Sequence, residues 1–131
     1  MQARYFLLLP LVLSQVAFAS NFIGTYHCNG FDPYLNKKYA GTVKVEQQNA
    51  VYKITMLYDT GEKYLATGGQ YNEELLSVVF QQVGHLKVVG LEQYHLSEDK
   101  NTMGGYWVYL GKDKLGSEVC TRDTAEIKPA T

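Results

Sequence analysis

Residues 51–58, VYKITMLY, constrain the fold of this chain more tightly than any other stretch. Tyr52, Ile54, Met56 and Tyr58 share one face, and Lys53 and Thr55 lie opposite. A period of two marks a half-buried strand, because successive side chains of extended backbone point to opposite faces. The pattern recurs. Apolar residues alternate, or run in short blocks, in GTYHC (24–28), YAGTVKVEQ (39–47), KYLATG (63–68), LLSVVFQ (75–81), LKVVGLEQYHL (86–96), TMGGYWVYL (102–110) and SEVCTR (117–122). Turn chemistry separates them: NGFDPYLNKK with Asn29-Gly30 and Asp32-Pro33 as breakers, then QNA, DTGE, GQYNEE, Gly84, SEDKN and GKDKLG. Gly90 interrupts the longest run, as a bulge or barrel bend would. Eight short strands joined mostly by hairpin loops predict an all-β, antiparallel meander. A meander of that length removes its two exposed edges by closing into an up-and-down barrel, with the first strand beside the last.

The N-terminus sets the compartment. Arg4, the apolar stretch Tyr5–Phe18 and the small-x-small pattern Ala17-Phe18-Ala19 have the three zones of a secretory signal. A membrane anchor is a poorer reading, since a span needs about 20 apolar residues and this stretch contains Pro10, Ser14 and Gln15. Removal of residues 1–19 leaves 112 of the 131, one domain of residues 20–122 with a patternless tail, 123–131, expected to fray. The mature chain is expected to be exported, periplasmic or extracellular, with no membrane attachment. Its strands are too short for an outer-membrane barrel, and lysine and glutamate occupy their outer faces. Its 11 Lys and Arg against 13 Asp and Glu give a net charge of −2 and no basic patch, which argues against a nucleic-acid partner.

Cys28 and Cys120 are the only cysteines. In an oxidising compartment such a pair reads first as a disulfide. Cys28 is on the first predicted strand and Cys120 on the eighth, so a bridge between them would clamp the seam at which the barrel closes.

These residues resemble the calycin-type barrels, the group of lipocalins, fatty-acid-binding proteins and avidins. Those barrels carry Gly-x-Trp on the first strand, with a basic side chain from the last strand packed over the indole. Gly24-Thr25-Tyr26 and Arg122 occupy the corresponding places here, with tyrosine in place of tryptophan. The resemblance implies a structural seam in which the Arg122 guanidinium rests on the Tyr26 ring, a contact worth about 0.5–2 kcal/mol. In length and loop economy the chain is nearer to avidins. It has the single tryptophan Trp107 where avidins use several around biotin, so biotin binding does not carry over. The early G-x-Y, central Y-x-I and late G-x-E are similar to those of small exported bacterial domains.

Catalytic patterns are missing from the sequence. It has no G-x-S-x-G, no phosphate-binding glycine loop and no H-E-x-x-H. His27, His85 and His95 do not lie at metal-ligand spacing, and neighbours on a strand face opposite ways, so His27 cannot easily activate Cys28. The acidic pairs Glu73-Glu74 and Glu98-Asp99, and the loose calcium-loop likeness of Asp32 and Asn36, read as solvated turns. No cofactor, metal or catalytic residue is expected.

Tyrosine is the distinctive component, ten of the eleven lying beyond the signal. An eight-stranded barrel is just wide enough to be packed solid or to hold one small ligand. The expectation is a binding module, taking a small, partly apolar ligand at a shallow barrel mouth, with Tyr52, Met56, Tyr58, Tyr106 and Trp107 as the candidate lining. The alternatives are a secreted module or inhibitor that binds a protein partner through its outer surface and loops, and a metal-dependent or hydrolytic enzyme.

Overall fold

The computed structural model describes residues 21–124. The expected signal segment, residues 1–19, and the tail beyond residue 124 lie outside the described residues. Eight strands follow in chain order: β1 (Gly24–Asp32), β2 (Lys37–Gln48), β3 (Val51–Tyr58), β4 (Lys63–Gln70), β5 (Leu75–Gln82), β6 (His85–Leu96), β7 (Thr102–Tyr109) and β8 (Gly116–Arg122). Each pairs antiparallel with the next, and β8 pairs with β1, so the sheet is a closed up-and-down barrel. The alternation of VYKITMLY holds through most of β3: Tyr52, Ile54 and Met56 are buried between exposed Val51, Lys53 and Leu57.

The seam forms as the sequence suggests. Cys28 and Cys120 are register partners on β1 and β8 and are joined by a disulfide with a Cα–Cα distance of 4.0 Å. The Arg122 guanidinium carbon lies 4.8 Å from the centre of the Tyr26 ring. Arg122 also donates to the carbonyls of Asn21, Ile23 and Lys100, and the Tyr26 hydroxyl donates to the Phe22 carbonyl at 2.9 Å. One side chain thereby ties the entry segment and the β6–β7 turn to the last strand. Phe22, fully buried, packs into the core at this end of the barrel. Asp123 is held too, its N–H donating to the Thr25 carbonyl at 2.8 Å.

The first hairpin differs from its sequence reading. Asn29-Gly30 is no turn: β1 continues to Asp32 and the reversal is confined to residues 33–36. Asp32 Oδ1 accepts from the N–H groups of Tyr34 and Leu35, and Asn36 takes the left-handed conformation that asparagine tolerates. Gly30 serves packing instead. It is the register partner of Tyr39, and a Cβ there would lie 2.2 Å from Tyr39 Cζ. The same device recurs at three more cross-strand pairs: Gly41 with Tyr58, Gly90 with Phe80, and Gly116 with Trp107. Each missing side chain leaves room for an aromatic ring laid over the neighbouring backbone. These four rings line one end of the barrel, and that end carries the candidate site.

Candidate functional site: a ring of aromatics above two buried carboxyls

The two barrel ends differ by construction. The start of β1, the end of β8 and the β2–β3, β4–β5 and β6–β7 turns meet at the end occupied by Phe22 and Arg122. The opposite end carries the β1–β2, β3–β4, β5–β6 and β7–β8 loops. There Tyr39, Tyr58, Tyr64, Phe80, Tyr109 and Trp107 form a closed circle. Each ring meets the next edge-on at a centroid distance between 5.1 and 6.3 Å. Edge-to-face contact sets the positive ring edge against the neighbour's negative face, worth about 0.5–1.5 kcal/mol per pair beyond the area buried. Hydroxyls lace the circle: Tyr64 donates to Glu62 at 2.8 Å, and the Tyr64 and Tyr109 oxygens are 3.2 Å apart. Tyr34 spans two loops, donating to the Lys114 carbonyl at 3.0 Å and accepting from its N–H at 2.9 Å.

The circle surrounds a cavity of about 50 Å³, with Met56 and Glu92 among its walls and Asp32, Lys37, Lys38 and Glu62 at its rim. Since about 10–15 Å³ suffices for one water, it has room for a small head group.

Beneath the rings lie Glu92 and Glu118, 4% and 1% exposed. Trp107 Nε1 donates to the Tyr39 hydroxyl at 2.9 Å, and that hydroxyl lies 3.5 Å from Glu118. Tyr58 donates to Glu118 Oε1 at 3.0 Å. The Tyr94 oxygen lies 2.7 Å from Glu92 Oε1 and 2.6 Å from Glu118 Oε2. A phenol has one proton to give, so one of these two contacts needs a proton from the carboxyl side. One of the two acids is therefore protonated. Burial, then the neighbouring charge of Glu118, pushes Glu92 well above the ordinary carboxyl range. Burial also raises Glu118, against the lowering pull of hydrogen bonds from Tyr94, Glu92, Tyr58 and Tyr39. The Tyr58 and Tyr39 hydroxyls steady a charge on Glu118, whereas Glu92 Oε2 has no donor, and this geometry favours the shared proton on Glu92. Burial first, and the two acids second, push the Tyr39, Tyr58 and Tyr94 hydroxyls up as well, so they remain donors across the physiological range.

Of the five residues expected to line a ligand site, Met56, Tyr58 and Trp107 do border this cavity. Tyr52 does not: it is buried towards the opposite end, where its hydroxyl donates to Gln70 at 2.6 Å. Tyr106 points outward and is 66% exposed. The YWVY run is apolar on both faces, and the register decides its parity. Trp107 pairs with Gly116, the position that leaves room for an inward indole, so Tyr106 must face solvent. Glu92, Glu118, Tyr39, Tyr64, Phe80 and Tyr109 were not anticipated. Two signals were present: Glu92 shares strand parity with Tyr94, and Glu118 with Cys120.

Among the described residues, the one cluster with metal-ligand proximity is Cys28, Glu118 and Cys120, and both sulfurs are committed to the disulfide. His27 and His95 are exposed, beside Asp123 at 3.6 Å and Glu74 at 3.4 Å.

No protein-family model matches the sequence. No curated protein matches it either. Solved structures do match in fold. A redesigned β-barrel, mFAP1, bound to DFHBI, superposes with a TM-score of 0.65 at 9% identity, covering 78% of this chain and 95% of that one. A fluorescence-activating β-barrel designed de novo gives a TM-score of 0.60 at 13% identity, covering 83% of this chain and 100% of that one. At such identities the likeness is one of fold, that of a small closed β-barrel.

Proposed function

We propose that this protein is an exported binding module of calycin-like architecture that takes a small, partly apolar molecule at its aromatic mouth, and that it is not a catalyst. The carrying observation is the asymmetry of the barrel. One end is filled by Phe22 and fastened by Arg122, whereas the other holds a cavity framed by six rings with hydroxyl and carboxyl groups below. Apolar walls with a few convergent polar groups are what small-ligand sites generally have. A barrel of similar fold bound to DFHBI supports the view that this architecture can hold a guest. The disulfide fits an oxidising compartment, and with the N-terminal signal pattern it supports export.

Native mass spectrometry tests the reading. Protein refolded without lipid and offered a metabolite extract should retain a bound mass, and Tyr58→Ala, verified as folded, should lose it. Retention of nothing by the wild-type protein would overturn the proposal.

A second reading has one observation in its favour. Leu57, Leu65, Val79 and Leu91 face outward on consecutive strands β3 to β6, each about half exposed, and this apolar row suits a protein partner. Leu65→Lys should abolish such an association and leave mouth binding intact.

A further inference from the structure

We propose that the mouth selects a small organic cation, its ammonium or amidinium head seated against Glu92 and its apolar body held by the ring of aromatics. This rests on reading the mouth as a binding site and adds the chemical class of its occupant.

The sign of charge changes with depth. At the rim, Asp32 and Glu62 balance Lys37 and Lys38. Below the rings only acids remain: Glu92 on the cavity wall and Glu118 behind it. No described lysine or histidine is buried, and Arg122 is committed at the opposite end. The interior therefore holds a carboxylate steadied by tyrosine hydroxyls and by no cation. A buried ion without a counter-charge is costly, and an entering cation would relieve that cost.

Glu92 also has acceptor capacity to spare. Its Oε2 is sealed from solvent and has no hydrogen-bond donor, although the residue borders the cavity. The terminal carboxyl torsion of glutamate is broad, so this group can turn to meet a donor arriving in the cavity. A neutral apolar guest would leave the oxygen unpaired, and an anion would add a like charge beside Glu118. Discrimination of this kind, in which the wrong guest strands a buried polar group, is the strong kind. The rings add to it, because an aromatic face attracts a cation within about 6 Å of its centroid. The cavity's 50 Å³ admits a head group and leaves a larger body among the rings above it.

Trp107, the single tryptophan, borders the cavity and reports binding by its fluorescence. Three probes share one ring and differ in head group: benzylammonium, benzyl alcohol and benzoate. The expected order is benzylammonium tighter than benzyl alcohol by about tenfold or more, with benzoate weakest. In Glu92→Gln, its fold checked by far-ultraviolet circular dichroism, the first two should converge. A second measurement needs no variant. Glu92 faces Tyr94 on its own strand, Glu118 on β8, Tyr58 on β3 and Tyr39 on β2, with Asp32, Glu62, Lys37 and Lys38 at the rim. Between about pH 5 and about pH 8 the carboxyl pair loses its proton more readily with a cation beside it, so benzylammonium affinity should rise and benzyl alcohol affinity stay level. Equal affinities, a preference for benzoate, or a flat pH profile for the amine would overturn the cation assignment while leaving mouth binding in place. If neither the probes nor the extract are retained, both fall.

Discussion

Gly116 lies directly under the indole of Trp107: a Cβ at that position would stand 2.0 Å from Cε2 and 2.2 Å from Cζ2. The two residues are register partners across β7 and β8, so the indole has no second place to go without leaving the barrel interior. Moving it would also break the Nε1 bond to the Tyr39 hydroxyl. Gly116→Ala should cost about 2–3 kcal/mol, from overpacking together with a disturbed buried hydrogen bond. Tryptophan emission should shift to longer wavelength in the folded state. Gly104→Ala, where an added Cβ meets nothing within 4 Å, should be close to neutral. Urea titrations of the two variants check both statements, and equal losses would refute the steric account.

The disulfide should contribute a large share of stability, because its cysteines are 92 positions apart in sequence and it closes nearly the whole barrel into one loop. The chain-entropy relation gives about 4–5 kcal/mol for a loop of that size. The double variant Cys28→Ala, Cys120→Ala should therefore melt on the order of 20 °C lower by calorimetry. Arg122 and the β1–β8 ladder still join the same strands, so the variant should keep its strand signature in circular dichroism at low temperature.

The barrel was readable because a closed meander needs only two things from the sequence, alternation and turns, and both are explicit in segments such as VYKITMLY and SEDKN. The seam was readable because the two cysteines fell on the first and last strands. The site was harder. Tyr106 and Trp107 are adjacent aromatics in a run apolar on both faces, and only the register opposite Gly116 settles which points inward. Asn29-Gly30 resembled a turn, because a glycine that makes room for a ring looks the same in sequence as one that turns the chain. Glu92 and Glu118 resembled ordinary surface charges. Their parity with Tyr94 and Cys120 was the clue, since a disulfide that locks the seam from inside carries the residue two positions earlier inside with it.

Arg122 should be replaceable neither by lysine nor by methionine. Its planar fork reaches the carbonyls of Asn21 and Ile23 while its Nε meets that of Lys100, and its face covers the Tyr26 ring. An ammonium cannot present that geometry. Arg122→Lys should cost about 1–2 kcal/mol and Arg122→Met about 2–3 kcal/mol, the latter leaving the carbonyls without their donor. Limited proteolysis should show the entry segment around Phe22 released before the barrel opens. Resistance equal to wild type would show that Phe22 packing alone holds it.

The carboxyl pair predicts a pH dependence of stability with a definite sign. Glu92 binds its proton more tightly in the folded barrel than in the unfolded chain, by burial first and the charge of Glu118 second. Wherever the native state holds more protons than the unfolded one, stability falls as pH rises. The stabilising effect of that retained proton is thus complete below the ordinary glutamate value of about 4.3, and is lost as pH climbs towards the raised folded value. Asp99 acts in the opposite sense and at lower pH, since the Ser97 hydroxyl and the Asn101 N–H hold its carboxyl below the usual range. It contributes stability present above the ordinary aspartate value and lost on acidification through its lowered one. Between about pH 5 and about pH 8 the Glu92 effect governs, and the protein should melt on the order of 5 °C higher at the acid end. Glu92→Gln carries a permanently neutral group of the same shape, and its amide can donate where the carboxyl proton stood. Its melting temperature should vary much less across the same interval and exceed that of wild type at the alkaline end. A wild-type melting temperature that rises from pH 5 to pH 8 would mean that the two acids share no proton beneath the rings.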